Sequence, residues 1–399
     1  MFANLAGRHS RASFRGPTLP STLGSLCNLF HMEKMRLTFV LPKLFDHPIG
    51  GFKVHYQYAN ALARRGHLVT IVHPITDQRT MTARDWKLFI QARLREFISR
   101  GVPISWFQFD RYIKSILVPT LSSASLPAAD ITILTAWQTA ESTVRKSEIA
   151  GAVAQIVYDY EFWMADRKLR PRIGAALSRQ DVSHIATSGV VESMLREIGV
   201  EPLFVVRAGL AAGDFGVDAA IRDREQLITF AWRFGEAKDV HTALAAAELV
   251  MQELPDVRIE CFGGKDGAVV PSGIHHLGRL THSELRALYN RTSVFMLTSQ
   301  YEGWGLPALE AMACGAAVVS TQSGGVNDFI DDGQNGRLVE VGDEVAVAQS
   351  VLQLLRDEDL RVTLATNGSL DAKRFSVERS TDDLEKLLRD LSKGGPSRP

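Results

Sequence analysis

Short apolar runs, each followed by a loop and a helix-length amphipathic stretch, recur through most of this chain. A run of five or six apolar residues bounded by turn signals is too short for a buried helix and reads as a strand covered on both faces. The pattern begins at LTFVL (37–41) and continues through the loop PKLFDHPIGG into FKVHYQYANALARR. In that segment Val54, Tyr58, Ala61 and Leu62 share one helical face, Gly66 closes the helix, and the strand LVTIV follows. Parallel strands need such a crossover, so this is a strand–helix–strand unit. Strand-like runs at ADITIL, QIVYDYE and VSHIATS, with helix-length segments between them, extend one open parallel sheet.

The alternation breaks at residues 205–226, where VVRAGLAAGDFG and the charged IRDREQ read as a linker. It then restarts with LITFAW, the helix VHTALAAAELVMQEL ended by Pro255, and the strand VRIECF. Thr281 and Glu284 have capping-box spacing, SVFMLTS leads into a short helix expected to start at Pro307, and Gly315 ends it. The expected organisation is therefore α/β with two facing doubly wound domains, 35–210 and 211–375. A final helix over 376–392 is expected to cross back to the first domain, ahead of a tail at 393–399. Residues 1–34 hold Arg8, Arg11 and Arg15, no acid before Glu33, and only an interrupted apolar stretch, LGSLCNLF. They are set apart as a disordered or misassigned extension rather than a signal sequence.

Composition narrows the function classes. The 399 residues carry 45 Lys plus Arg against 45 Asp plus Glu, so no whole-chain field draws the protein to nucleic acid, and none is expected as a partner. No apolar run reaches the roughly 18 residues of a spanning helix. Cys27, Cys261 and Cys314 are too scattered for a disulfide framework or a metal finger, which fits a reducing, cytoplasmic setting. The segment ARDWKLFIQARLREFISR puts Trp86, Phe89, Ile90, Leu94, Phe97 and Ile98 on one face and Arg84, Lys87, Arg93, Arg95 and Arg100 elsewhere. A helix packed on the core is the expected setting for it, with peripheral contact at the inner face of a membrane as the alternative.

In open α/β sheets, ligands sit beyond the carboxyl ends of the strands, where helix-start amides can hold anions. Gly50 and Gly51 follow the first strand, and without a Cβ they let a ligand oxygen reach the backbone. Arg233 and Lys238 flank the first loop of the second domain, and a guanidinium fork with an ammonium point charge suits a diphosphate. Glu302 and Glu310 lie in YEGWGLPALEAMACG on either side of a turn allowed by Gly305 and Pro307, and carboxylates beside an anion site suit sugar hydroxyls. Each of these also has a plain reading, as a tight turn, two solvated cations, or two solvated carboxylates.

Together the motifs are more specific. The sequence resembles the retaining glycosyltransferases of family 4, of GT-B fold, from about residue 36 to 390. Their two Glu separated by seven residues match Glu302 and Glu310 in EGWGLPALE, the Arg-x4-Lys pair matches Arg233 and Lys238, and the Gly-Gly matches Gly50 and Gly51. GGVNDFIDDGQNGRLVEVGD is similar to the segment that follows in the family. The resemblance implies a nucleotide diphosphate sugar donor, with Arg233 and Lys238 on the diphosphate and Glu310 on the ribose. It implies that Glu302 and the amides of Trp304, Gly305 and Leu306 hold the transferred hexose, while Gly50 and Gly51 close over the phosphate. The base would sit near Gly263, Gly264 and Leu280. No metal and no cofactor are implied, and the Asp-x-Asp at Asp357 and Asp359 reads as a solvated turn.

One family feature is absent: the His, often in a His-Asp pair, that follows an N-terminal strand. VYDYEFW stands there instead, which leaves Asp159, Glu161 and the loop residue His47 as acceptor-side candidates. This Asp-Tyr-Glu looks like that of some bacterial rhamnosyltransferases of polysaccharide synthesis. The expected activity is transfer of a hexose, with retention, to a hydroxyl of a glycan, a lipid-linked glycan or a small molecule. The alternatives are a nucleotide-sugar epimerase of the same shape and a non-catalytic nucleotide-sugar-binding protein. A nicotinamide enzyme is disfavoured, since no Gly-x-Gly-x-x-Gly follows the first strand of either domain.

Overall fold

The computed structural model describes residues 33–45, 49–77, 80–99, 102, 104–121, 126–143, 151–233, 235–264 and 270–394. The chain divides into two compact units, 1–34 and 35–399, and both sheets belong to the second. The first sheet contains β1 (Arg36–Val40), β2 (Leu68–Pro74), β3 (Lys114–Val118), β4 (Ile131–Leu134), β5 (Ala152–Val157), β6 (Ser183–Ala186) and β7 (Phe204–Val205), in the order β3-β2-β1-β4-β5-β6-β7. The second contains β8 (Leu227–Ala231), β9 (Arg258–Phe262), β10 (Ile274–His276), β11 (Val294–Leu297), β12 (Ala317–Thr321) and β13 (Arg337–Val339), in the order β10-β9-β8-β11-β12-β13. Every strand pair is parallel. Each sheet thus repeats the order 3-2-1-4-5-6, and the winding reverses beside β1/β4 and again beside β8/β11, where loops diverge and open a crevice.

The helices among the described residues are α1 (Gly50–Arg64), α2 (Ala83–Ser99), α3 (Trp137–Ser142), α4 (Tyr160–Ala165), α5 (Arg170–Leu177), α6 (Gly189–Glu197), α7 (Val240–Glu253), α8 (His282–Arg291), α9 (Leu306–Ala313), α10 (Glu344–Arg356), α11 (Glu358–Ala372) and α12 (Val377–Ser392). Helix α1 buries Val54, Tyr58 and Leu62, as the periodicity predicts. The capping box also forms: Thr281 Oγ1 accepts from the Glu284 amide at 3.3 Å, and the Thr281 amide donates to Glu284 Oε2 at 2.8 Å. Asp357 caps α11 through the Leu360 amide at 3.0 Å, and Asp359 pairs with Arg222 at 2.7 Å.

Two backbone segments cross between the sheets and pair with each other. The Leu210 amide donates to Phe375 O and the Val377 amide to Leu210 O, both at 3.0 Å. A Cβ on Gly209 would fall 2.2 Å from the Ser376 carbonyl carbon, so only glycine allows this approach. Beyond the crossing, α12 packs on α1 with Leu384 and Leu388 fully buried. Burial would raise the Glu385 carboxyl there, yet hydrogen bonds from Arg65, Arg389 and His67 bring it down to about 2. One apolar cluster runs from Phe39, Tyr58 and Ile133 to Leu297, Trp304 and Phe329 and forms the floor under the crevice.

Helix α2 does not take the core-packed setting expected for it. Among its described side chains Ala92 is buried and Phe89 half-buried, while Trp86, Ile90, Leu94 and Phe97 are exposed, Phe97 at 85%; the Ile98 side chain lies outside the described ones. Downstream, Trp106, Phe107 and Phe109 surround Tyr56 with ring centroids 5.4, 5.1 and 4.9 Å away. The face of α2 turned inward is that of Asp85, Phe89, Ala92 and Glu96, spaced three and four residues apart, so the apolar stripe beside it is left outward. Periodicity identified which α2 residues share a face, and nothing in it could specify what that face meets.

Candidate active site

Arg233 and Lys238 lie in the loop after β8, which ends in a single 3-10 turn, Glu236–Lys238. Asp239 then adopts φ 38, a left-handed conformation rare for a residue with a Cβ. It is held there by capping α7, accepting from Thr242 Oγ1 at 2.8 Å, while its carbonyl accepts from Thr298 Oγ1 at 2.9 Å. The loop after β11 is tied to the same turn, since the Gln300 amide donates to Ala237 O at 2.9 Å. The strands at the switch point of the second sheet therefore deliver their loops together. Strained backbone of this kind persists where the surroundings over-determine it, commonly at functional sites.

The consequence is a cluster on one carboxylate. Glu302 Oε1 receives Ser299 Oγ at 2.8 Å, Lys238 Nζ at 3.0 Å and Arg233 Nη1 at 3.1 Å. Glu302 is 4% exposed and Lys238 is 9% exposed. All three contacts converge on Oε1, so Oε2 takes none of them. Burial pushes the Glu302 carboxyl up, but Lys238, Arg233 and the Ser299 hydroxyl outweigh it and hold the group below its ordinary value.

The chain then turns into α9. The Glu302 amide donates to Ser323 O and its carbonyl accepts from the Gly325 amide, both at 2.8 Å. Gly305 has φ 95, and a Cβ there would fall 2.5 Å from Val326 Cγ1, so the turn requires glycine. Helix α9 starts at Leu306, one residue before the expected Pro307, and this places Glu310 at its fifth position rather than in its first turn. The Trp304 side chain packs against Phe329 and Phe375 with ring centroids 5.2 and 5.4 Å away, leaving only its backbone for a ligand. Gly263 and Gly264 follow β9, and the Gly263 amide donates to Gly278 O at 2.7 Å, which brings half-buried Leu280 to the same edge.

Both glutamate sites connect to the first sheet's helices, Glu302 through Lys238 and Glu310 directly. Lys238 Nζ forms a very close ion pair with Glu161 of α4, and Lys53 Nζ of α1 lies 3.6 Å from Glu310 Oε1. Burial raises the Glu310 carboxyl, opposed by Lys53 and His282 and reinforced by Asp214. Gly50 faces across the crevice, since a Cβ on it would lie 3.6 Å from Leu306 Cδ1. Asp159 points the other way: it is 2% exposed and accepts from the Trp137 amide at 3.2 Å and from Gln155 Nε2 at 3.4 Å. Burial drives its carboxyl up to about 7, against the Trp137 hydrogen bond. His47 lies outside the described residues. Sequence reasoning missed Lys53 and Ser299. For Lys53 there was a signal, a cation one turn into the helix that opens with Gly50 and Gly51.

Comparisons with known proteins point to a family for part of the chain and to its fold. The family model for glycosyl transferases group 1 matches residues 217–371. That stretch is similar to the group 1 glycosyl transferases. An uncharacterized glycosyltransferase of Methanocaldococcus jannaschii is 34% identical over 127 residues, which are 31% of this chain and 36% of that protein. A D-inositol 3-phosphate glycosyltransferase of Corynebacterium urealyticum is 31% identical over 183 residues, 42% of this chain and 43% of that protein. The matches span less than half the length of these two curated relatives. A glycogen synthase of Mycobacterium tuberculosis is 25% identical over 359 residues, 77% of this chain and 83% of that protein. Among solved structures, sucrose-phosphate synthase from Thermosynechococcus elongatus superposes with a TM-score of 0.67 at 18% identity, covering 90% of this chain and 99% of that one. Anabaena HepE in complex with UDP-glucose superposes at 0.66 with 17% identity, covering 90% and 100%. The fold is GT-B.

Proposed function

We propose that the protein is a retaining, metal-independent glycosyltransferase that moves a hexose from a nucleotide diphosphate sugar to a hydroxyl acceptor. The observation that carries this reading is the convergence of Arg233 and Lys238 on Glu302 Oε1 at the switch point of the second sheet, with Glu310 on the helix that follows. Two cations held by one buried carboxylate are fixed in place before any ligand arrives, and preorganised charge is what a departing diphosphate needs. The HepE complex with UDP-glucose and the group 1 match support the donor class.

In this reading the diphosphate lies against Arg233, Lys238 and the amides of Trp304, Gly305 and Leu306 at the start of α9. Glu302 Oε2 accepts a hydroxyl of the transferred sugar, Glu310 accepts from the ribose, and Gly50 and Gly51 approach the phosphates from the other side. The anomeric C–O bond to the diphosphate breaks as the acceptor oxygen bonds to the same face of that carbon. The acceptor proton passes to the departing phosphate oxygen, so no protein nucleophile is consumed. The residues contribute position and charge stabilisation. Donor binding takes Lys238 from Glu161, whose released carboxylate then stands beside the acceptor. Asp159 stays buried as a cap on α3, so the likeness to the rhamnosyltransferase Asp-Tyr-Glu rests on Glu161.

The test is a thermal-shift and turnover screen with UDP-, GDP-, dTDP- and ADP-sugars, with Glu310→Ala alongside. Stabilisation by one nucleotide series that is lost in the variant supports the donor site, and donor consumption that requires an added acceptor supports transfer. Conversion of donor alone into an epimer favours isomerisation. Indifference to every nucleotide sugar refutes the donor assignment.

A further inference from the structure

We propose that α2 is a docking surface for an anionic lipid bilayer, a role that does not depend on the donor-site reading. Trp86, Ile90, Leu94 and Phe97 fall within about a quarter of the helix circumference at 100° per residue and form a continuous apolar stripe. They are 50%, 57%, 59% and 85% exposed, and Trp86 meets the Phe89 ring of the same helix edge-on at 6.0 Å. Beside it, Phe89, Ile90, Arg93, Leu94 and Phe97 line a shallow surface depression. An apolar stripe of this size on an otherwise ordinary surface marks an interaction site.

Charge selects the occupant. Lys87 borders the stripe on one side and Arg93, paired with Glu96, on the other, with Arg84 and Arg95 further round, so the helix carries four basic residues against two acids. The two acids of the helix are engaged: Asp85 accepts from the Thr82 amide at 2.8 Å and Glu96 pairs with Arg93 at 2.5 Å. An apolar stripe between basic flanks complements a surface of acyl chains beneath anionic headgroups. A second copy of the same face would bring like charges together, and the segment before Glu33 is itself basic, with Arg8, Arg11 and Arg15. Both fit the stripe less well than anionic lipid does. No helix among the described residues is long and apolar enough to cross a membrane, so the contact is peripheral. The loop that leads into α2 leaves the carboxyl end of β2, on the sheet edge from which Gly50 and Gly51 project, which would hold the crevice near the bilayer.

The experiment is co-sedimentation of the full chain with phosphatidylglycerol/phosphatidylcholine vesicles and with pure phosphatidylcholine vesicles. It is accompanied by quenching of Trp86 by brominated lipid, with Trp86→Phe as the control. Binding is expected to anionic vesicles only, to weaken with salt, and to fall at least tenfold in Leu94→Glu/Phe97→Glu. These positions are exposed, so circular dichroism and melting temperature stay unchanged. Lys87→Glu alone weakens binding about fivefold or more, from roughly one headgroup interaction per basic residue. Absent binding, equal binding to neutral vesicles, or quenching that persists in Trp86→Phe would overturn the proposal. A dimer that Leu94→Glu/Phe97→Glu dissociates would overturn it too, in favour of self-association.

Discussion

Replacing Lys238 with Met keeps the length of the side chain and removes its charge from between two carboxylates. At a separation of about 4 Å and an effective dielectric of about 20, each pair is worth about 4 kcal/mol before desolvation is counted. Breaking one buried pair costs about 3–5 kcal/mol where the remaining charge is left without compensation, and the lower end applies here because Arg233 and Ser299 still hold Glu302. The Glu161 side chain is 30% exposed, so solvent screens its share, whereas Glu302 at 6% is not relieved in this way. The expected loss is about 3 kcal/mol near pH 7, or a melting temperature lower by about 6–12 °C for a domain of this size. In the wild type, Glu302 sits below its ordinary value, so its stabilising contribution is present at neutral pH and fades as the pH falls. In the variant, loss of Lys238 moves the Glu302 carboxyl up from its wild-type position, so less of that contribution remains at neutral pH. The gap between the two proteins should therefore be widest at pH 7–8 and narrow towards pH 4, read by differential scanning fluorimetry in low salt. A gap of one size across that range, or no gap, would refute the electrostatic account of the cluster. Turnover should fall by about 10²-fold or more, as for loss of one preorganised charge-stabilising group.

Asp159→Asn should change the pH dependence of stability in the opposite sense. Burial raises Asp159 to about 7, so its stabilising contribution is complete below pH 4 and is lost as the pH rises through 7, and the variant should gain on the wild type by up to about 4 kcal/mol between pH 4 and 8, read by urea unfolding at each pH. Gly305→Ala introduces a Cβ 2.5 Å from Val326 Cγ1 at φ 95 and should cost about 2–4 kcal/mol in chemical denaturation, with loss of donor binding. Glu161→Gln removes the carboxylate that competes for Lys238, so calorimetric affinity for the nucleoside diphosphate of the preferred donor should tighten several-fold while acceptor-dependent turnover falls; unchanged affinity would show that the pair does not oppose the donor.

Local chemistry carried much of this molecule. Apolar runs such as LTFVL and SVFMLTS can be buried only as strands, Thr281 and Glu284 cap a helix wherever it sits, and the turn at Gly305 admits only glycine, so strands, caps and the loops bearing Arg233, Glu302 and Glu310 were legible in order along the chain. Two- and three-residue strands such as β7, β10 and β13 were not, because they are too short to show a period. Tertiary structure decided what each side chain meets. Glu161 reaches Lys238, and Lys53 reaches Glu310, only because two separately wound sheets close on a shared crevice. Asp159 and Glu161 are neighbours in one motif, yet one is turned into the protein and the other into the crevice. Helix α2 shows the same division: its sequence specifies an apolar stripe, and the tertiary structure turns the neighbouring face of Phe89, Ala92 and Glu96 inward and leaves the stripe outward. Periodicity and capping act over a few residues and can be read from them, whereas the partner of a buried charge or an apolar face is set by chain distant in sequence and near in space.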